Sequence, residues 1–139
     1  ETTRLPGSDE LFDPRWSPDG RDIVAQTLTG GSRLMLFDFE TQKWGLLLEV
    51  GGIAGNNVEQ PVWSRDGTYI YFAGRAEEGA PVYRLRLQDR KLERLFGPED
   101  IRRGGTAGVW WRGMGPDDSP LVRIDNSASD LYALDWEAP

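Results

Sequence analysis

The chain has 139 residues, 38% of them hydrophobic and 11% aromatic, enough for one globular domain with a real core and too apolar for a disordered segment. A net charge of −7 repels phosphate backbones and argues against nucleic-acid binding, and no apolar stretch is long enough to imply membrane contact. The chain lacks both cysteine and histidine, which removes disulfides, thiolate nucleophiles, the commonest general base and the commonest transition-metal ligands, so neither a metal nor a cofactor is expected.

The chain starts at Glu1 without a methionine and reads as a piece of a longer protein. Glu1-Thr2-Thr3-Arg4-Leu5 parallels Lys91-Leu92-Glu93-Arg94-Leu95 and is predicted to be a closing outer strand, residues 1–5. The first repeat unit, 11–57, opens with Pro14-Arg15-Trp16-Ser17-Pro18-Asp19-Gly20 and the apolar run Ile23-Val24-Ala25. Arg33 to Asp38, a polar turn at Glu40-Thr41-Gln42 and Lys43 to Leu48 complete it. The second unit, 58–107, repeats the pattern without a gap at Pro61-Val62-Trp63-Ser64-Arg65-Asp66-Gly67, 47 positions on (Trp16 to Trp63). Its further strands are Ile70 to Phe72, Pro81 to Arg86 and Lys91 to Phe96, and Glu99 to Arg103 forms a turn of helix at most. The third unit, 108–139, is degenerate: Met114-Gly115-Pro116-Asp117-Asp118 stands at the Trp-Ser-x-Asp-Gly position, Pro120 to Ile124 follows, and Asp130 to Asp135 matches Arg33 to Asp38. Four short strands per unit at this period predict an all-β chain of about three four-stranded antiparallel β-propeller blades, the third lacking its own outer strand.

The repeated Pro-x-Trp-Ser-x-Asp-Gly followed by an apolar strand, at Pro14 to Gly20 and Pro61 to Gly67, resembles the TolB-like propeller repeat, a relative of the WD repeat. The resemblance implies a six-bladed ring whose last blade is completed by a strand from the other terminus. The ending Tyr132-Ala133-Leu134-Asp135-Trp136 resembles the C-terminus of bacterial regulators in which such a propeller follows a winged-helix domain. Three blades cannot close comfortably, since propellers use about 4 to 8 and closure removes exposed edges. A head-to-tail homodimer of two half rings is therefore expected.

Asp19-Gly20 and Asp66-Gly67 read as turn residues rather than calcium ligands, and Trp16 and Trp63 read as packing between blades. The candidate binding residues are those that do not repeat. Asn56, Asn57, Glu59, Arg102 and Arg103 sit in the long segments before the first strands, gathered on one face near the central channel, where a peptide or protein would engage; the commoner reading of such positions is solvated loop residues. Arg15 faces opposite to Trp16 and can line the channel, and of the adjacent Trp110 and Trp111 one must pack and the other, assigned to Trp111, can face a ligand. No Gly-x-Ser-x-Gly elbow is present. The reading is a non-catalytic interaction or sensory propeller, with an accessory gating propeller of a prolyl oligopeptidase type of hydrolase, or a structural half-propeller fragment, as alternatives.

Overall fold

In the computed structural model residues 2–28, 33–50, 58–74, 81–101 and 108–125 are described. Among these residues ten strands form two four-stranded antiparallel sheets and a two-stranded one, with one four-residue helix. Blade 1 is β1 (Leu11–Trp16), β2 (Asp22–Thr27), β3 (Arg33–Asp38) and β4 (Lys43–Glu49), paired in that order. Blade 2 repeats it with β5 (Val58–Trp63), β6 (Tyr69–Gly74), β7 (Val82–Arg86) and β8 (Leu92–Phe96); the helix α1 (Pro98–Ile101) follows. Blade 3 is described only as the hairpin β9 (Gly108–Met114) and β10 (Pro120–Asp125). The expected strand at Asp130 to Asp135 lies outside the described residues.

The turn between first and second strands is written twice in the same hydrogen bonds. Ser17 Oγ donates to Asp19 Oδ1 at 2.7 Å and accepts the Asp22 amide at 2.9 Å; Ser64 Oγ donates to Asp66 Oδ1 at 2.7 Å and accepts the Tyr69 amide at 2.9 Å. Gly20 and Gly67 both take φ of 73°, a conformation that side-chain-bearing residues resist. Asp118, aligned with these glycines in the degenerate third copy, takes φ of 58°; aspartate tolerates this conformation better than most residues. Its carboxylate accepts the Arg65 amide at 3.0 Å, tying blade 3 to the turn of blade 2.

First strands carry the packing between blades: β5 meets β1 and β2, and β9 meets β5 and β6. The first seam buries Val24, Leu34, Leu47 and Val50 of blade 1 against Val58, Trp63, Ile70, Phe72, Tyr83 and Leu85 of blade 2. The second buries Tyr71, Ala73 and Val82 against Trp111. Period-two alternation explains both, because successive residues of β2 and β6 serve opposite seams, and a buried residue of this size is worth about 1.5–3 kcal/mol.

Trp63 is 9% exposed and its indole N–H donates to the Arg15 carbonyl across the first seam at 3.0 Å, as packing between blades requires. Trp16 departs from that expectation: it is 58% exposed and stacks only on Phe39, because no described blade lies on its side. Residues 2–5 pair with no described strand. The segment instead folds along blade 1, where the Pro6 carbonyl accepts the Trp44 indole N–H at 3.0 Å and Arg4 pairs with Asp9.

Candidate ligand cleft beside the inner strands

The first strand of each of blades 1 and 2, the inner strand by the propeller likeness, is broken at one place by a bulge. Asp13 and Gln60 adopt φ of 51° and 52°, each precedes a proline, and the pairing with the second strand slips there, between Phe12 and Arg15 and between Glu59 and Val62. Proline cannot donate to the ladder, and a bulge re-aims the side chain at its corner. In blade 1 that side chain is a carboxylate. Asp13 Oδ1 receives the Arg15 guanidinium at 2.6 Å, and Asp13 Oδ2 accepts from Gln26 Nε2 at 3.4 Å.

Gln26 is the least expected residue here. It lies on β2, 4% exposed, at the position that Ala73 occupies on β6. Its orientation is fixed by its neighbour, since only the amide nitrogen can face a carboxylate. That leaves Oε1 buried without a donor among the described residues, at a cost of about 1–3 kcal/mol. Gln26 and Asp13 line a cleft of about 380 Å³ between blades 1 and 2, with Phe12, Leu28, Val58 and Glu59. The apolar members Phe12 and Leu28 are exposed at 39% and 61%, so the cleft has a greasy rim and an acceptor-rich wall.

A second hollow of about 320 Å³ lies at the opposite end of the same seam, lined by Asp19, Asp22, Trp63, Arg65 and Asp66. Its acids are occupied. The Ser64 hydroxyl and the Thr68 amide hold the Asp66 carboxyl down at about 2, and the Ser17 hydroxyl and Arg21 amide lower Asp19. Asp22 is raised instead, first by burial and then by the charges of Asp38 and Asp19. Among the described residues no group of three acids could hold a metal ion.

Of the candidate binding residues, Glu59 falls in the cleft and Arg15 borders it through Asp13, its guanidinium also donating to the Pro14 carbonyl at 3.0 Å. Asn56, Asn57, Arg102 and Arg103 lie outside the described residues. The assignment of Trp111 is corrected: it is the packing member of the pair, 4% exposed, its indole N–H donating to the Gln60 carbonyl at 3.3 Å, because a seam between blades needs a large ring that also satisfies its own donor. Trp110 is the exposed one, at 41%, with the Arg123 guanidinium 5.3 Å from its ring centre. Sequence reasoning passed over Gln26 and Asp13, although both break the repeat, polar against Ala73 and charged against Gln60.

No protein-family model matches the chain, and no curated protein matches it in sequence. Its fold is similar to β-propellers of the TolB type. The chain superposes on TolB from Acinetobacter baumannii with a TM-score of 0.57 at 18% identity, covering 82% of this chain and 29% of that one. A putative TolB from Agrobacterium tumefaciens gives 0.54 at 20% identity, covering 86% and 41%. The β-propeller domain of the Trilobed protease from Pyrococcus furiosus, with an open velcro topology, gives 0.51 at 18% identity, covering 83% and 40%. The chain thus spans less than half of each of these three propeller chains.

Proposed function

We propose that this chain is a non-catalytic propeller segment that binds a peptide or protein partner through the cleft beside its inner strands, recognising a positively charged N–H donor on an aliphatic stem, as on a lysine side chain. The observation that carries the reading is Gln26: a buried amide oxygen without a donor among the described residues, beside Asp13 and Glu59, at a position where the second blade places alanine. A lysine ammonium supplies donors for Gln26 and charge for the carboxylates, and its methylene stem suits Phe12 and Leu28. Charge-assisted hydrogen bonds of this kind are worth about 1.5–3 kcal/mol each.

The test is an amide-resolved NMR titration with N-acetyl-lysine methylamide as probe. Shifts should localise to Phe12, Asp13, Gln26 to Leu28 and Glu59, and should vanish when the probe's side-chain amine is acetylated. Gln26→Ala, which installs the residue of blade 2, should weaken the probe's binding by about tenfold or more. Uniform or absent shifts, or equal binding by the acetylated probe, would refute the reading.

A further inference from the structure

Blades 1 and 2 each end in an outer strand, β4 or β8, whose far side pairs with no described strand. An unpaired edge offers main-chain donors and acceptors to any extended segment, and proteins blunt such edges with charges or cover them. β8 is blunted in both ways. Its Glu93 pairs with Arg84 at 2.7 Å and Lys91 at 2.9 Å, and its Arg94 reaches Glu99 and Asp100 of α1, which packs beside it. β4 has neither protection. Between Lys43 and Glu49 it runs Trp44-Gly45-Leu46-Leu47-Leu48 without a charge, and Leu46 is 45% exposed. Its bulge, at Leu47, leaves Lys43 to Leu46 in regular register with β3.

The same strand departs from the repeat in a way that opens a hollow. Gly45 stands opposite Leu36 where β8 sets Glu93 opposite Arg84. With no side chain at Gly45, a hollow of about 210 Å³ lies over Leu36 and Leu47 at the outer end of the first seam. A Cβ added to Gly45 would meet nothing closer than the Leu36 carbonyl oxygen at 4.0 Å. Two cations flank the hollow: Lys43, on the same face of β4, and Arg90, in the turn before β8. The acids nearby are engaged elsewhere, Asp38 by the amides of Glu40 at 2.7 Å and Thr41 at 3.2 Å, Glu49 by Arg33 at 2.9 Å and Asp89 by Arg86 at 3.4 Å.

We propose that β4 is a strand-addition site for an extended segment of another protein, which pairs antiparallel along Lys43 to Leu46 and places an aromatic ring over Gly45 and a carboxylate beside Lys43 and Arg90. A ring on the adjoining strand fills the space that an edge glycine leaves. Alternation puts the residue two positions further on over the same face, opposite Lys43, so the recognised pattern from N- to C-terminus is aromatic-x-acid. This chain contains no aromatic residue followed two positions on by an acid, which selects a different protein over a second copy. Main-chain pairing supplies affinity, and the ring and carboxylate supply selectivity. The site stands on blades 1 and 2 alone and is independent of the cleft: Gln26→Ala leaves it intact.

Amide-resolved NMR titration of the full chain with acetyl-Thr-Thr-Phe-Thr-Glu-Thr-Thr-amide tests it. The probe should shift Leu36, Lys43 to Leu47 and Arg90, and should slow hydrogen exchange at alternate amides of β4, the mark of main-chain pairing. Alanine for the probe's phenylalanine, or glutamine for its glutamate, should each weaken binding by about fivefold or more. Gly45→Glu, which installs the residue of blade 2 at an exposed position, should weaken it by about 30-fold or more with circular dichroism unchanged. Lys43→Gln combined with Arg90→Gln should erase the preference for glutamate over glutamine and keep that for phenylalanine. No saturable shift, shifts confined to other strands, unchanged amide exchange, equal binding of the probe without its ring, or concentration-dependent shifts of Lys43 to Leu47 in the chain alone, the sign of a second copy on this edge, would each overturn the proposal.

Discussion

Replacing Gln26 by methionine should stabilise the fold while abolishing binding in the cleft. Methionine keeps the length and unbranched shape of glutamine, so the packing around β2 is disturbed little. The substitution removes a buried oxygen that has no donor among the described residues, which releases about 1–3 kcal/mol. Against this stands the Gln26 Nε2 bond to Asp13, long at 3.4 Å and so credited with about 0.5 kcal/mol, at the low end of the net range. Asp13 is not orphaned by its loss, since it keeps the Arg15 guanidinium at 2.6 Å. The balance is a gain of roughly 0.5–2.5 kcal/mol. Urea unfolding followed by tryptophan fluorescence should show a higher midpoint at unchanged slope, and titration with N-acetyl-lysine methylamide should show no binding. A loss of 1 kcal/mol or more would refute the reasoning, because it would mean that Oε1 has a donor in solution and that the amide is a structural group.

Trp63→Phe should cost about 2–3 kcal/mol in urea unfolding, since it removes both indole volume from the first seam and the donor that satisfies the Arg15 carbonyl. Gly67→Ala should cost about 1–2 kcal/mol through the backbone alone, because an added Cβ would approach no closer than 3.8 Å to Pro18 while φ is 73°. Stability should fall as pH drops from about 4 towards 2. Asp66 and Glu93 both titrate at about 2 in the fold against ordinary values of 3.8 and 4.5, so their contribution is complete above the unfolded values and lost as pH falls through the folded ones. For Glu93 the Lys91 and Arg84 bonds are the cause; for Asp66 it is chiefly the Ser64 hydroxyl, so Asp66→Asn should flatten this acid limb in pH-dependent thermal melts.

The blade architecture was legible because it is written in repeated local chemistry. A serine, an aspartate and a glycine at fixed spacing build the turn by their own hydrogen bonds, and alternation of apolar residues along β2 and β6 assigns one set to each seam. Bounds such as Arg33–Asp38 followed from the same pattern. What a repeat cannot convey is which copy has a neighbour. Trp16 and Trp63 share the same Pro-x-Trp-Ser-x-Asp-Gly motif, yet one is exposed and the other buried, because burial depends on a blade to either side rather than on the strand itself.

The cleft was missed for the opposite reason. Attention to loops favoured long segments with polar tips, whereas the cleft's wall is built by two residues inside strands, where the repeat makes deviations measurable. At the position of Gln26 the second blade carries Ala73, 1% exposed and packed in the second seam, so nothing in the fold demands a polar group there. At the bulge any residue able to take positive φ would serve, and Gln60 does so without a charge; Asp13 adds one, held by Arg15. The two departures from the repeat are hydrogen-bonded to each other across β1 and β2, and Gln26 buries an oxygen without a donor among the described residues, a penalty that Ala73 avoids in blade 2. A penalty at a position that borders a cleft, where the second blade avoids it with alanine, is the pattern expected under the proposed binding role, in which the group is retained for what it binds rather than for what it supports.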